Sequence, residues 1–184
     1  MHKYTELLIK CHKADAQAQR ALYDMFKSRL FGLCRRYTRN REEAQDVMQD
    51  AFIKIFHHIG QLAIPEKLES WVKSVTINTA INHYHRTKKE DLITSIDQRD
   101  SEPVTDNDLS QLTDQLLVAM INDLPDGCRI VFNMFVVEGY SHTEIAGLLH
   151  IQEGTSRSQL HHAKVLLKEK LKCQDMAQYY EKFA

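Results

Sequence analysis

The side chains best suited to metal chemistry are histidines, which occur in three close groups. The groups are His57-His58, His83-Tyr84-His85 and His161-His162, and they raise the possibility of a metallohydrolase. A catalytic zinc site needs three protein ligands around one point, but no carboxylate or third histidine lies at ligand spacing from these groups. Histidines two residues apart on a helix also point in different directions. The sequence therefore predicts no metal site at these histidines.

A second set of candidate residues lies on a predicted helix from about residue 70 to 88. Its apolar lines are Trp71 with Val75, and Ile77 with Ile81 and Tyr84. Polar and basic groups fill the rest: Lys73, Thr76, Asn78, Thr79, Asn82, His83, Arg86, Lys88 and Lys89. Basic side chains interleaved with aromatic and amide groups suit a surface that holds nucleic acid. A solvated helix with a positive C-terminus explains the pattern equally well.

The C-terminal part carries a helix-turn-helix pattern. The first predicted helix opens at Leu124-Pro125 and ends at Gly139, with Ile130, Val131, Phe132, Phe135 and Val136 as its apolar residues. Ser141 and Glu144 form a capping box for the next helix, and a turn at residues 150–152 leads into a longer one. The inward residues of that last helix are predicted to be Ser156, Leu160, Ala163 and Leu167. Its outward residues are then Gly154, Ser158, His161 and His162, with Arg157 on the flank. Such side chains suit reading of the major groove, although a helical hairpin without a DNA role stays open.

The helix predicted to begin at Asn40 carries a candidate docking patch. Its inward stripe is Ala44, Met48, Ala51, Phe52, Ile55 and Ile59, and its outward arc holds Asp46, Gln49, Asp50 and Ile53. An isoleucine between carboxylates and an amide suits contact with a partner helix. A single exposed isoleucine is also commonplace and by itself requires no partner.

Composition and charge predict an all-α chain of two small domains. The 184 residues are 43% apolar with only 6 Gly and 3 Pro, which disfavours sandwiches, barrels and disorder. Residues 1–90 hold 16 basic and 10 acidic groups, residues 91–123 hold one and eight, and residues 124–184 hold seven of each. This asymmetry predicts domains at 1–90 and 124–184 joined by an acidic linker at 91–123.

The cysteines and the start of the chain bear on the compartment. Cys11, Cys34, Cys128 and Cys173 form no CxxC pair, so that neither a disulfide framework nor a cysteine-rich zinc site is expected. The sequence opens directly on a predicted amphipathic helix, and no apolar run is long enough to span a bilayer. We therefore expect a cytoplasmic protein without direct membrane insertion.

Two blocks of sequence together resemble a known family. Leu124-Pro125, EGYSHTEIA at residues 138–146 and EGTSRSQL at residues 153–160 resemble region 4 of the extracytoplasmic-function (ECF) group of bacterial sigma factors. The wording GTSRSQL is similar to a variant found in Bacteroidetes members. NREEAQDVMQDAF at residues 40–52, WVKSV at 71–75 and NTAIN at 78–82 resemble region 2 of the same group. The resemblance covers about residues 15–172, with both blocks in the family's order.

The resemblance implies a protein that gives core RNA polymerase its promoter recognition and strand opening. Because the polymerase performs the nucleotidyl transfer, the protein itself is not expected to be an enzyme or to have a catalytic residue or a cofactor. It assigns Asp46, Gln49, Asp50 and Ile53 to docking on the β′ subunit. The expected partners are core polymerase (β′ and β) and promoter DNA. Lys67, Lys73, Asn78 and Arg86 are expected at the −10 element, with the loop at residues 61–69 holding a flipped base. Thr155, Arg157, Ser158, His161 and His162 are expected at the −35 element, and an anti-sigma factor is an expected partner. His162 stands where an arginine is usual, so that promoter sequence does not transfer from relatives.

One alternative function needs separate weighing. A conventional helix-turn-helix transcriptional regulator would bind duplex DNA as a dimer, without core polymerase. The docking patch and the second predicted nucleic-acid surface favour the sigma factor, and a polymerase pull-down distinguishes the two.

Overall fold

The computed structural model describes the backbone of residues 4–94 and 119–183, and the side chains of residues 4–90 and 119–172. The described residues form helices and turns and contain no strand, which confirms the predicted all-α class. The chain divides into two compact units, Met1–Asp100 and Ser101–Ala184. Most of the predicted acidic linker lies outside the described residues. Its two ends, residues 91–94 and 119–122, are helical, and the linker itself stays a prediction.

Four helices build the first unit, as the sequence predicts. They are α1 (Thr5–His12), α2 (Ala16–Arg35), α3 (Arg41–His58) and α4 (Leu68–Thr94), with single 3₁₀ turns at Ile59–Gln61 and Pro65–Lys67. Asp15 caps α2 by accepting the N–H of Ala18 at 2.8 Å. Asn40 caps α3 in the same way through the N–H of Glu43. These caps satisfy backbone donors that a helix leaves open, and thereby define where each helix begins.

The core of the first unit lies where α2, α3 and α4 pack against one another and α1 closes one side. Its most buried large side chains include Leu22, Ile55, Leu68 and Val72. On α3, Val47 is fully buried whereas Met48 is half-buried, so that the buried stripe is shifted slightly from the predicted one. The stripe still leaves the opposite face of α3 in solvent.

The second unit contains the helix-turn-helix. Its helices are α5 (Asp126–Phe132), α6 (His142–Leu149) and α7 (Glu153–Phe183). Ser141 and Glu144 complete the predicted capping box at the start of α6, and His150 turns the chain with a φ of 51°. Residues Met120, Ile121 and Leu124 pack with Ala163 and Leu167 of α7, so that the segment before α5 supports the last helix.

A π-helical turn at Asn133–Val137 replaces the predicted continuation of α5. The wider turn, in which the N–H of Glu138 donates to the carbonyl of Asn133, rotates the residues that follow. Met134 is buried, and Val136, one of the predicted apolar residues of this segment, is 50% exposed. Gly139, with a φ of 80°, then turns the chain towards α6.

Candidate functional site

The outward face of α3 carries the four predicted docking residues together. Asp46, Gln49 and Asp50 are exposed, and Ile53 is 49% exposed. On the opposite side of the same helix Ala44, Ala51 and Ile55 are fully buried. An isoleucine kept in water on a helix with a well-formed buried face is available to a partner. Its role in docking stays a prediction.

Glu43 connects the start of α3 with α4. Its carboxylate accepts the N–H of Arg39 at 3.0 Å and lies 3.5 Å from Nε2 of His83. Burial by itself would raise the pKa of the Glu43 carboxyl, but the hydrogen bonds to His83 and Arg39 and their charges outweigh it, and the pKa is lowered. Nη2 of Arg86 lies 3.0 Å from Nδ1 of the same imidazole. This chain of contacts holds a helix of the docking face beside the predicted −10 surface.

The predicted −10 residues do not lie on one face. Lys67, Lys73, Asn78 and Arg86 are all exposed. At 3.6 residues per turn, Asn78 and Arg86 on α4 are within about 80° of each other, whereas Lys73 is turned about 140° from Asn78. The structure therefore brings Asn78 and Arg86 together and places Lys73 on another side.

Thr76 and Thr79 correct the predicted nucleic-acid face. Both are buried, and their hydroxyls donate to the carbonyls of Val72 and Val75 one turn earlier. Lys54 of α3 also donates to the Thr79 hydroxyl at 3.3 Å. Because a threonine can satisfy its hydroxyl within its own helix, a polar residue type at these positions did not indicate exposure.

Lys73 borders a groove that the sequence did not indicate. The groove has a volume of about 290 Å³ and lies between α2 and α4. Phe26, Leu30 and Leu33 line it, and two further cations come from Arg29 of α2 and from Arg36, the residue that follows α2. Arg29 is 3.2 Å from Glu69, whose other oxygen accepts the hydroxyl of Tyr4 at 2.5 Å. No local spacing signal could have placed these two arginines beside Lys73, because α2 and α4 are far apart in the sequence and meet only by packing.

The outward arc of α7 matches the predicted recognition surface. Ser156, Leu160 and Ala163 are buried, and the predicted contact residues are exposed: Thr155, Arg157, Ser158, His161 and His162. At about 100° per residue, Ser158, His161 and His162 lie opposite the buried stripe, and Thr155 and Arg157 lie on its two flanks. These five side chains therefore share the exposed side of α7, and their contact with DNA stays a prediction.

Two polar contacts join α6 to α7. The ring of His142 stacks on Phe135 with centroids 4.4 Å apart, and its Nδ1 is 2.9 Å from the hydroxyl of the fully buried Ser156. The hydroxyl of Thr143 donates to Glu153 at 3.2 Å. Sequence patterns indicated Ser156 as inward but did not indicate its partner on α6.

Two further findings describe what the structure offers to ligands. Among the described residues no group of three or more His, Cys, Asp or Glu could hold a metal ion. In the same part of the chain, no helix is long and apolar enough to cross a membrane.

Two helical units, the second with a helix-turn-helix, are typical of a modular DNA-binding protein. Comparison with known families shows which family the chain belongs to. Residues 22–90 match the family described as Sigma-70 region 2, and residues 114–167 match Sigma-70, region 4. The chain belongs to the sigma-70 family of RNA polymerase sigma factors.

Individual relatives place the chain in the ECF group of that family. It is 31% identical over 155 residues to the ECF RNA polymerase sigma factor SigL of Mycobacterium tuberculosis, covering 82% of this chain and 86% of SigL. It is 27% identical over 173 residues to the ECF sigma factor SigW of Bacillus subtilis, covering 87% and 92%. Among solved structures, the sigma factor RpoE of Bartonella quintana, in complex with the anti-sigma factor NepR, has a similar fold. Its TM-score is 0.56 at 18% identity, with 83% of this chain and 96% of that chain covered.

Proposed function

We propose how this ECF sigma factor divides its work between the described surfaces. The α3 patch docks on core polymerase through the β′ subunit, Asn78 and Arg86 of α4 act at the −10 element, and the outward arc of α7 reads the −35 element. One observation carries the proposal: α3 and α7 each bury one face fully and keep the predicted contact residues exposed on the other. On α3, Ile53 lies among the exposed Asp46, Gln49 and Asp50, which supports a docking patch at this face.

Docking is tested by a paired substitution and a control matched in residue type and exposure. Asp46→Arg with Ile53→Ala should weaken binding to core polymerase by more than about tenfold, because a misplaced charge at a docking interface costs several kcal/mol. The control is Glu66→Arg with Ile64→Ala, since Ile64 is 46% exposed and Glu66 is exposed as well. The control pair lies in the predicted −10 loop and should leave core affinity unchanged. Equal core affinity for both variants in a native-gel titration contradicts the proposed docking patch.

Separate substitutions distinguish the two DNA surfaces. Asn78→Ala should impair open-complex formation, seen by permanganate footprinting, and leave contacts at the −35 element intact. Arg157→Ala should weaken the −35 contact by about 1–3 kcal/mol and relax base preference there. If both variants change the same footprint to the same extent, the two-surface assignment is wrong.

The alternative function predicts a different requirement for polymerase. A conventional helix-turn-helix regulator would protect a promoter from cleavage alone, as a dimer. The sigma factor should protect it, and support run-off transcription, only when core polymerase is added. Protection by the chain alone, unaffected by core polymerase, would favour the regulator.

Further parts of the proposal concern partners, chemistry and setting. We infer an anti-sigma factor, supported by the fold shared with RpoE, which was solved with NepR; co-purification with a product encoded beside this chain tests it. We also infer that the chain has no catalytic activity of its own, that it works in the cytoplasm beside polymerase, and that the GTSRSQL wording of α7 indicates relatives among Bacteroidetes.

A further inference from the structure

Arg157, the flanking cation of the recognition helix, is already bound on one edge. Its Nε donates to Oε1 of Glu153 at 3.2 Å, and its Nη2 donates to the same oxygen. The Arg157 side chain is nevertheless 66% exposed. Glu153 therefore holds one edge of the guanidinium, while most of the Arg157 side chain extends into solvent on the predicted DNA side.

The contact with Glu153 uses a defined part of the guanidinium. The group is planar and carries five N–H donors in a fixed fork. Nε and Nη2 share the side edge, so that the end edge, formed by Nη1 and the second N–H of Nη2, remains. Within the described residues Nη1 has no hydrogen-bond partner. Two parallel N–H groups on that edge match N7 and O6 of guanine in the major groove.

Glu153 is itself held from a second helix. Its other oxygen accepts the hydroxyl of Thr143 on α6 at 3.2 Å. The hydrogen bonds from Arg157 and Thr143, together with the charge of Arg157, lower the pKa of the Glu153 carboxyl. The carboxylate therefore stays ionised at neutral pH, and its position is set by both helices of the motif.

We propose that Glu153 is a positioning residue that holds Arg157 by its side edge, so that the end edge reads a guanine in the −35 element. The inference rests on the proposed reading of that element by α7. Glu153 also places a negative charge near the DNA backbone, which lowers affinity for DNA of any sequence. Only the holding of Arg157 discriminates between sequences, because repulsion of phosphate weakens all duplexes alike.

The test uses holoenzyme reconstituted from the full chain and core polymerase. The probe is a duplex library with two random blocks of about ten base pairs, spaced as −35 and −10 elements. Wild type should enrich a guanine at one upstream position. Glu153→Gln, which keeps the side-chain volume and removes the charge, should reduce that guanine preference by at least about fivefold. Affinity for unselected duplex should rise, and the sequence enriched in the downstream block should not change.

Three further variants isolate the role of Glu153. Arg157→Ala should lose the same guanine preference, and Glu153→Gln should reduce it no further in that background. Glu169→Gln removes a carboxylate from an exposed position of the same helix and should leave the preference unchanged. Thr143→Val should weaken the preference partially, because it frees one side of Glu153.

Other results would overturn the inference in recognisable ways. If Glu153→Gln lowers the melting temperature and weakens all duplexes equally, Glu153 has a structural role. If it strengthens all duplexes equally, its charge only repels phosphate. A wild-type preference for another base at the position that depends on Arg157 contradicts the guanine assignment. If wild-type holoenzyme enriches no upstream block, the proposed −35 function fails and this inference fails with it.

Discussion

Gly154, in the first turn of the recognition helix, is expected to affect stability and DNA binding in opposite directions when it is replaced by alanine. It lies on the outward arc, one turn before Ser158, and is exposed. A Cβ built at this position meets no atom within 4 Å, and its φ is not in the left-handed region. Nothing within the described second unit therefore requires a glycine there.

The magnitudes follow from these two facts. A glycine in a helix costs about 0.5–1 kcal/mol relative to alanine, so that Gly154→Ala should stabilise the second unit by up to that amount. For a unit of this size the melting temperature should rise by about 2–8 °C. In the proposed complex, we expect the first turn of α7 to direct its open backbone N–H groups at DNA phosphate. A methyl group in a close-packed contact costs about 1–3 kcal/mol, or roughly 5- to 150-fold in affinity.

Calorimetry of the full chain gives the stability, and titration of holoenzyme onto a −35 duplex gives the affinity. Gly147→Ala on α6 is the matched control, because its Cβ also meets no atom within 4 Å. It should raise the melting temperature of the second unit and leave DNA affinity unchanged. If Gly154→Ala stabilises the unit and binds DNA as tightly as wild type, the backbone of α7 does not approach DNA closely and the reasoning is refuted.

Three other predictions concern the stability of the two units and the burial of one cysteine. Because the pKa of Glu43 is lowered in the folded state, its contribution to the stability of the first unit is present above the unfolded pKa and is lost as pH falls through the folded pKa. Glu43→Gln should therefore reduce the acid dependence of unfolding, measured by the fluorescence of Trp71, and an unchanged acid limb would show that another carboxyl is responsible. Burial raises the pKa of Cys34 to about 12, so that this thiol should be alkylated at neutral pH only as fast as the first unit opens; mass spectrometry showing rapid labelling in the native protein would contradict its burial. Ser141→Ala removes the cap of α6 and should destabilise the second unit by about 1 kcal/mol, seen as a lower calorimetric transition, whereas no change would mean that water replaces the cap.

The sequence by itself determined the features that depend on local spacing and capping. Asn40 and Ser141 begin helices because their side chains accept backbone N–H groups three residues ahead. The exposure of Ile53 followed from the 3.6-residue period, since the buried stripe of α3 leaves that position on the opposite face. The amino-acid sequences of the two motifs then identified the family, because two region-specific blocks in the right order are more specific than either alone.

Tertiary structure decided whatever depends on which helices meet. Thr76 and Val136 have residue types that suggest water and core respectively, and the structure places each in the other environment. The helix's own carbonyls can satisfy a threonine hydroxyl, and a single apolar side chain left in water is common.

Contacts between helices were equally beyond the sequence. Arg29 joins Lys73 at one groove, and Thr143 reaches Glu153 across the turn of the helix-turn-helix. Periodicity gives the face on which a side chain lies but carries no information about the neighbour that packs on that face. For this reason the sequence could predict the recognition surface, and only the structure could show that Glu153 holds its arginine.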